Sequence, residues 1–303
     1  MAGQINRSST VPAMNEAKLS SVQCLSPGGL HRMVYKEWGA RDNPAVVLCI
    51  HGITRVSDDF DSLAQELARD FRVICPDVVG RGRSARLAQA QHYTPSQYLA
   101  DMVTLIARLD VASLQLVGTS MGGLVGMLLA SLPDTPISRM VVNDVGPAVE
   151  PVALQRIAAY LGQAVSFATE DEGIAYVRQL SASFGPHTEE QWRKLGRDAL
   201  RQNQEGKWER NYDLRIAEPV KAMTPESAAR AEAAMWAAWN AIRCPVLLLR
   251  GQESDLLSPD TAQRMTQSGP RARLVEFAGV GHAPTLLQQD QIDVVAGFLR
   301  EGR

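Results

Sequence analysis

Leu116-Val117-Gly118-Thr119-Ser120-Met121-Gly122-Gly123 decides how the rest of the chain is read. The stretch is a G-x-S-x-G sequence, set after a strand-like apolar run and before an apolar helical one. A strand-to-helix turn this tight forces its serine into a strained backbone conformation. Gly118 and Gly122 remove the side chains that would collide there. Ser120 is then held out at the carboxyl end of a sheet, at the start of a helix whose dipole favours developing negative charge. The Met121 N–H is positioned to donate to an oxyanion. A chance match in a loop is the alternative reading, and the flanking pattern argues against it.

Outward from this turn, short β-rich runs alternate with helical patterns, the signature of a largely parallel sheet covered on both faces. Val22–Leu25, Met33–Trp38, Val46–Ile50, Arg72–Cys75, Leu114–Val117, Met140–Asn143, Val246–Leu249 and Leu274–Phe277 read as strands. Phe60, Leu63, Ala64 and Leu67 fall at helical spacing within 57–70. Thr94-Pro95-Ser96-Gln97 is a capped helix start, followed by the apolar stripe of Tyr98, Met102, Leu105, Ile106 and Leu109. Ile292, Val295, Phe298 and Leu299 mark a terminal helix. The fold class expected is α/β, eight mostly parallel strands with helices on both faces.

The alternation fails between residues 148 and 234, where no convincing strand is visible and helical, aromatic-dotted segments dominate. Three parts are therefore expected: a flexible arm over 1–18, an α/β core over 19–147 and 235–303, and a helical cap over 148–234. Tyr160, Phe167, Tyr176, Trp192, Trp208 and Tyr212 are expected mostly to build the cap's own small core, lending some surface to a pocket.

Hydrophobic residues at 45% and charged residues at 21% are those of a packed globular protein. Lys plus Arg (31) nearly balance Asp plus Glu (33), without long blocks of one sign, which excludes the footprint of a nucleic-acid binder. Residues 111–133 carry no charge and are long enough to cross a bilayer. Gln115, Thr119, Ser120 and the Gly122-Gly123 pair interrupt them, so a buried strand turning into a buried helix is the better reading, with no membrane span. Cys24, Cys49, Cys75 and Cys244 form no C-x-x-C pair and read as reduced and structural. The start of the chain is polar, so the cytoplasm is the expected location. No metal-ligand motif occurs, and neither metal nor cofactor is expected.

A nucleophilic serine needs a base. Among the five histidines, His31, His92 and His187 are read as solvated. His51 follows the third strand directly in His51-Gly52-Ile53. His282 lies late in the chain, in Ala278-Gly279-Val280-Gly281-His282-Ala283-Pro284, where the glycines let the loop bend so that the imidazole reaches Ser120. The Ser, Asp, His chain order places the acid before it. Asp255, after the run Val246–Leu249, is the choice on chain position, with Asp144 and Glu253 as the alternatives. Gly80-Arg81-Gly82-Arg83-Ser84-Ala85 superficially matches a dinucleotide fingerprint, but no capped helix opens directly after it. Asp77, just before this stretch, is read as structural, capping backbone N–H groups.

With these motifs in place, residues 20–303 resemble the α/β-hydrolase superfamily, and within it the proteobacterial carboxylesterases with a helical cap. The resemblance rests on His51-Gly52, Asp77 through Ser84, Gly118 to Gly122, Asn143-Asp144-Val145-Gly146-Pro147, Asp255 and Gly281-His282. It implies that the His51-Gly52 turn shapes an oxyanion loop in which Ile53 offers a second backbone N–H, and that Gly80 to Ala85 form a turn bracing the nucleophile side of the sheet. It implies a serine esterase acting on a small-molecule ester, some relatives degrading polyesters. Lactonases, carbon-carbon bond hydrolases and acyltransferases share the triad, and a ligand-binding protein that retains it is the alternative from another class. Ser120 argues against dehalogenases and epoxide hydrolases, whose elbow bears Asp.

The oxyanion loop lacks a glycine-rich run, so a site for small to medium acyl groups is expected. The cap shows aromatic and aliphatic surface rather than cationic anchors, which predicts uncharged esters as substrates. Trp236 and Trp239 are equally placed to line that pocket or to fill the core.

Overall fold

Period-2 alternation in the central strands assigns each residue to one of two apolar layers, and the layers account for the architecture. In β3 (Val46–Ile50), Val47 and Cys49 point to one face while Leu48 and Ile50 point to the other, all fully buried. The structure, a computed structural model, describes residues 16–302. Most of the expected arm thus lies outside the described residues, and β1 (Lys18–Ser26) opens the sheet.

β1 pairs antiparallel with β2 (Gly29–Trp38), which pairs antiparallel with β4 (Arg72–Pro76). β3, β5 (Leu114–Thr119) and β6 (Ile137–Asn143) join β4 in parallel, and β10 (Val246–Gly251) and β11 (Arg273–Phe277) extend the parallel part. The order is β1-β2-β4-β3-β5-β6-β10-β11. All eight expected strands are present.

One face is covered by α1 (Asp61–Leu67) and the terminal α10 (Gln289–Arg300), whose Leu63, Leu67, Val295 and Leu299 pack on Val47, Val117, Val141 and Leu249. The other is covered by α2 (Pro95–Leu109) and α3 (Met121–Ala130), with Met102, Leu105 and Met127 packed on Leu48, Leu116 and Val142. Thr94 caps α2 by accepting from the Gln97 N–H, and Pro95 takes the first helical position, where its missing N–H costs nothing. The uncharged stretch 111–133 is β5 followed by α3. Among the described residues no helix is long and apolar enough to cross a membrane.

The cap begins with α4 (Pro151–Tyr160) and α5 (Glu170–Leu180) and continues through α6 (Glu189–Asp198) and the short α7 (Ala217–Lys221). The expectation of an all-helical cap is corrected: β7 (Ser166–Phe167), β8 (Leu200–Gln202) and β9 (Trp208–Arg210) form a second sheet, order β7-β9-β8. These strands of two or three residues are too short to show a period. Their signal is the turn at Asn203–Lys207, where Gly206 takes a positive φ of 78° and donates to the Asn203 carbonyl. Phe167 and Trp208 pack with Ile174, Val177 and Leu200 into a small core of the cap.

The boundary at 234/235 also shifts. α8 (Pro225–Ala241) runs unbroken across it, capped by Thr224, and leads back towards the sheet edge. α9 (Pro259–Gln267) completes the layer on the same side, with Ala262 and Met265 in the core.

Candidate active site

The segments after β3, β5 and β11 meet at one cleft, whose other side is lined by residues of the cap. Ser120 sits between β5 and α3 with φ 52° and ψ −118°, a conformation that costs a non-glycine residue of order 1–3 kcal/mol. The neighbouring glycines are what make it possible. A Cβ on Gly122 would lie 1.9 Å from the Ile50 carbonyl oxygen, and one on Gly118 would lie 2.4 Å from that of Gly122.

Ser120 Oγ lies 2.9 Å from His282 Nε2, and His282 Nδ1 lies 2.8 Å from Asp144 Oδ2. With Asp144 accepting at Nδ1, the imidazole carries its proton there and presents a free Nε2 lone pair to the serine hydroxyl. Asp144 is fully buried, immediately after β6. Its other contacts come from the end of β10 and the loop beyond: Oδ1 accepts the Gly251 N–H at 2.9 Å and Oδ2 accepts the Ser254 hydroxyl at 2.7 Å. The adjacent Asn143 donates to the Pro284 carbonyl at 2.8 Å, holding the histidine loop against β6.

The assignment of Asp255 as the partner of His282 is thereby corrected. Asp255 stands four residues beyond the end of β10, past a turn in which Ser254 N–H donates to the Gly251 carbonyl. Both its oxygens are taken by Arg156 of the cap, at 2.6 and 2.8 Å. Partial burial alone would raise this carboxyl, but the Arg156 hydrogen bonds and charge outweigh it and hold it below its ordinary value. Glu253, the third alternative, is exposed. The signal for Asp144 was its place directly after a parallel strand, the same topological edge that carries Ser120.

His51 is buried between the two turns it joins. Its Nε2 accepts the Val78 N–H at 2.9 Å while Nδ1 donates to the Gly52 carbonyl at 2.7 Å, so the ring is neutral. Burial pushes its pKa below the usual value, and Arg81 adds to that, outweighing the opposing Asp77 and Asp59 charges and the Gly52 carbonyl. Gly52 and Ile53 line the cleft. Arg81, almost completely buried, donates Nε–H to the Ile53 carbonyl at 2.9 Å and points Nη2 at Met121 Sδ, 3.6 Å away. Asp77 Oδ1 and Oδ2 accept the Ser57 and Arg83 N–H groups, as a bracing turn requires.

Two of the other histidines differ from the solvated reading: His187 is half-buried, with Nδ1 2.9 Å from the Gly185 carbonyl and Nε2 2.7 Å from Thr285 Oγ1. His31 is buried and bonded to Asp101 at 3.0 Å, away from the cleft. With Cys24 these two form the one group of metal-capable side chains among the described residues whose ligand atoms lie within 4.8 Å of one another. All four cysteines are free.

The cleft is narrow and partly open to solvent. Trp236 and Trp239 do not line it: both are buried in the core beside α3, and Trp239 Nε1 donates to the Ser268 carbonyl. The cap's aromatic contributions are Tyr160 and Phe184. The expectation of a wall without cations also fails, since Arg55, Arg156 and Arg210 all border the cleft. No periodic pattern could have shown this, because the three arrive from different elements.

Comparisons with known proteins identify the family. A family model described as the alpha/beta hydrolase family matches residues 47–297. The 3-hydroxybutyrate-oligomer hydrolase of Cupriavidus necator is 50% identical over 284 residues, covering 93% of this chain and 97% of that protein. Among solved structures, an alpha/beta hydrolase from Novosphingobium aromaticivorans superposes with a TM-score of 0.83 at 35% identity, covering 95% of this chain and 99% of its own. A Rickettsia typhi protein superposes with a TM-score of 0.85 at 28% identity, covering 94% and 99%. A family model over most of the length, a relative sharing half its residues and structures that superpose over 94–95% of it leave one conclusion: this chain is a hydrolase belonging to the alpha/beta hydrolase family.

Proposed function

We propose that this chain cleaves carboxylic esters through an acyl-enzyme, with Ser120 as nucleophile, His282 as base and Asp144 orienting the base. The observation that carries the reading is the unbroken run of hydrogen bonds from Ser120 Oγ through the imidazole to the buried Asp144 carboxylate, at the floor of a cleft. As Ser120 attacks the carbonyl carbon, Nε2 takes the hydroxyl proton and the imidazolium is stabilised by Asp144. The Ile53 and Met121 N–H groups are the oxyanion donors. Neither donates to a protein acceptor among the described residues, and Arg81 holds both residues from behind. Nε2 then returns the proton to the leaving alkoxide, and a water activated by the same base releases the acid.

The substrate class is small to medium esters, including short linear oligomers of 3-hydroxybutyrate, the substrate named for the Cupriavidus necator relative. Ile53, Ile157, Val177 and Leu180 line the cleft beside Ser120 and His282 and offer apolar surface to a short acyl chain. We place the work of the enzyme in the cytoplasm, a reading supported by its four free cysteines.

The test is release of 3-hydroxybutyrate from its linear dimer and trimer. The unsubstituted protein is expected to turn both over, and Ser120→Ala to lose on the order of a thousandfold or more in kcat. A Ser120→Ala protein with undiminished activity would overturn the assignment.

A further inference from the structure

Three guanidinium groups border the cleft, and two are already neutralised. Arg55 is held by both oxygens of Asp59, at 2.8 and 2.6 Å, and Arg156 by both oxygens of Asp255. Arg210 has no carboxylate partner among the described residues, although only 6% of its surface is exposed. Its nearest acidic neighbour in the chain, Glu209, is engaged by Arg201 at 2.6 Å.

A buried cation without a counter-ion is costly unless something else stabilises it. Here the rings of Tyr160, Tyr176 and Tyr212 surround the guanidinium, with centroids 5.5, 5.1 and 5.4 Å from Cζ. Ring faces stabilise a cation through their quadrupoles and leave its N–H edge unused. Of the five donors, one reaches an acceptor, the Tyr176 hydroxyl at 3.3 Å from Nη2. Nε is buried with no partner at all. A guanidinium fixed by aromatic packing in the wall of the cleft that holds Ser120, with Nη donors still unused, suits a carboxylate.

We infer that Arg210 binds the free carboxylate of an ester acid, so that the enzyme selects linear acyloxy acids over neutral esters. This rests on the ester-hydrolase reading above. In a dimer of a 3-hydroxy acid the only carboxylate lies on the alcohol side of the ester, so Arg210 holds the leaving group. Hydrolysis breaks the ester C–O bond, water supplies the hydroxyl of the new acid and the proton of the new alcohol, and the departing hydroxy acid keeps its carboxylate on Arg210 until release. Longer oligomers are then shortened from the carboxyl end, one hydroxy acid at a time.

The experiment measures binding of the linear 3-hydroxybutyrate dimer and of its methyl ester to the Ser120→Ala protein by calorimetry. The free acid is expected to bind about tenfold to a hundredfold more tightly. Arg210→Gln in the same background should bring the two affinities together by weakening the acid alone, and Arg210→Lys should keep part of the preference. A loss of structure would weaken both ligands alike. Equal affinities in the Ser120→Ala protein, or a preference that survives Arg210→Gln, would overturn the proposal. Turnover of p-nitrophenyl butyrate by the unsubstituted protein tests the hydrolase reading separately, because that ester has no carboxylate.

Discussion

The imidazole of His282 and the carboxylate of Asp144 meet at 2.8 Å across 138 positions of chain, from loops that follow different strands of one sheet. Asp144 has a φ of 55°, and its carboxylate also accepts from the Gly251 N–H and the Ser254 hydroxyl. The Asp144 carboxylate is thus held from two strands at once, while Asp255 binds the cap.

That division of labour predicts a mild phenotype at the cap. Arg156 and Asp255 are each 36% exposed, so solvent screens their attraction even though the geometry is bidentate. Asp255→Asn should cost no more than about 1 kcal/mol of stability and less than about tenfold in kcat. Its signature should be faster proteolysis within the cap, read by limited digestion. A thousandfold fall in kcat would instead place Asp255 in the chemistry.

Arg81 should control rate without touching substrate. Its Nε holds the Ile53 carbonyl and its Nη1 the Val79 carbonyl and the Tyr98 hydroxyl, which sets the plane of the peptides around the proposed oxyanion site. Lysine keeps the charge but has no fork. Arg81→Lys should lower kcat by roughly tenfold, about 1.4 kcal/mol of barrier, with KM little changed. A rise in KM at constant kcat would contradict this role.

The pH dependence of stability should carry the mark of His51. Its folded-state pKa is lowered, chiefly by burial, below the unfolded value of about 6.5. The unfolded chain therefore binds the proton more readily. The stabilising contribution is fully present above about pH 6.5 and is lost as the pH falls below it. Protonation would also break the bond from the Val78 N–H to Nε2. His51→Gln, which keeps an acceptor in that direction without titrating, should melt lower at pH 7.5 yet lose less Tm between pH 7.5 and 5.5. Equal losses in both proteins would rule out His51 as the source.

Much of this was legible in the residues themselves. The strands follow from unbroken apolar runs such as Val46–Ile50, because a strand buried on both faces needs apolar side chains at every position. Ser120 and His282 follow from turns that only glycine permits. The acid does not, since Asp144 and Asp255 both follow parallel strands, and only the three-dimensional course of the β10–α9 loop turns one towards the cap. Trp236 and Trp239 share a helix whose apolar pattern is compatible with core or cleft, and packing against α3 and the Ser268 carbonyl decided for the core. The strands of the cap and the cationic wall of the cleft are products of tertiary contact. Arg210 meets Tyr160 and Tyr176 across 50 and 34 positions of chain, a relation without any local period.

The most direct test of the central claim compares Asp144→Asn with Asp255→Asn in single-turnover acylation by p-nitrophenyl butyrate at pH 8, with thermal melting as a control on folding. An asparagine at 144 presents an amide donor to Nδ1 and favours the wrong imidazole tautomer, so acylation should slow by on the order of a thousandfold or more, while Asp255→Asn stays within about tenfold of the unsubstituted protein. Near-normal acylation in a folded Asp144→Asn protein, with the large loss appearing in Asp255→Asn, would contradict the account.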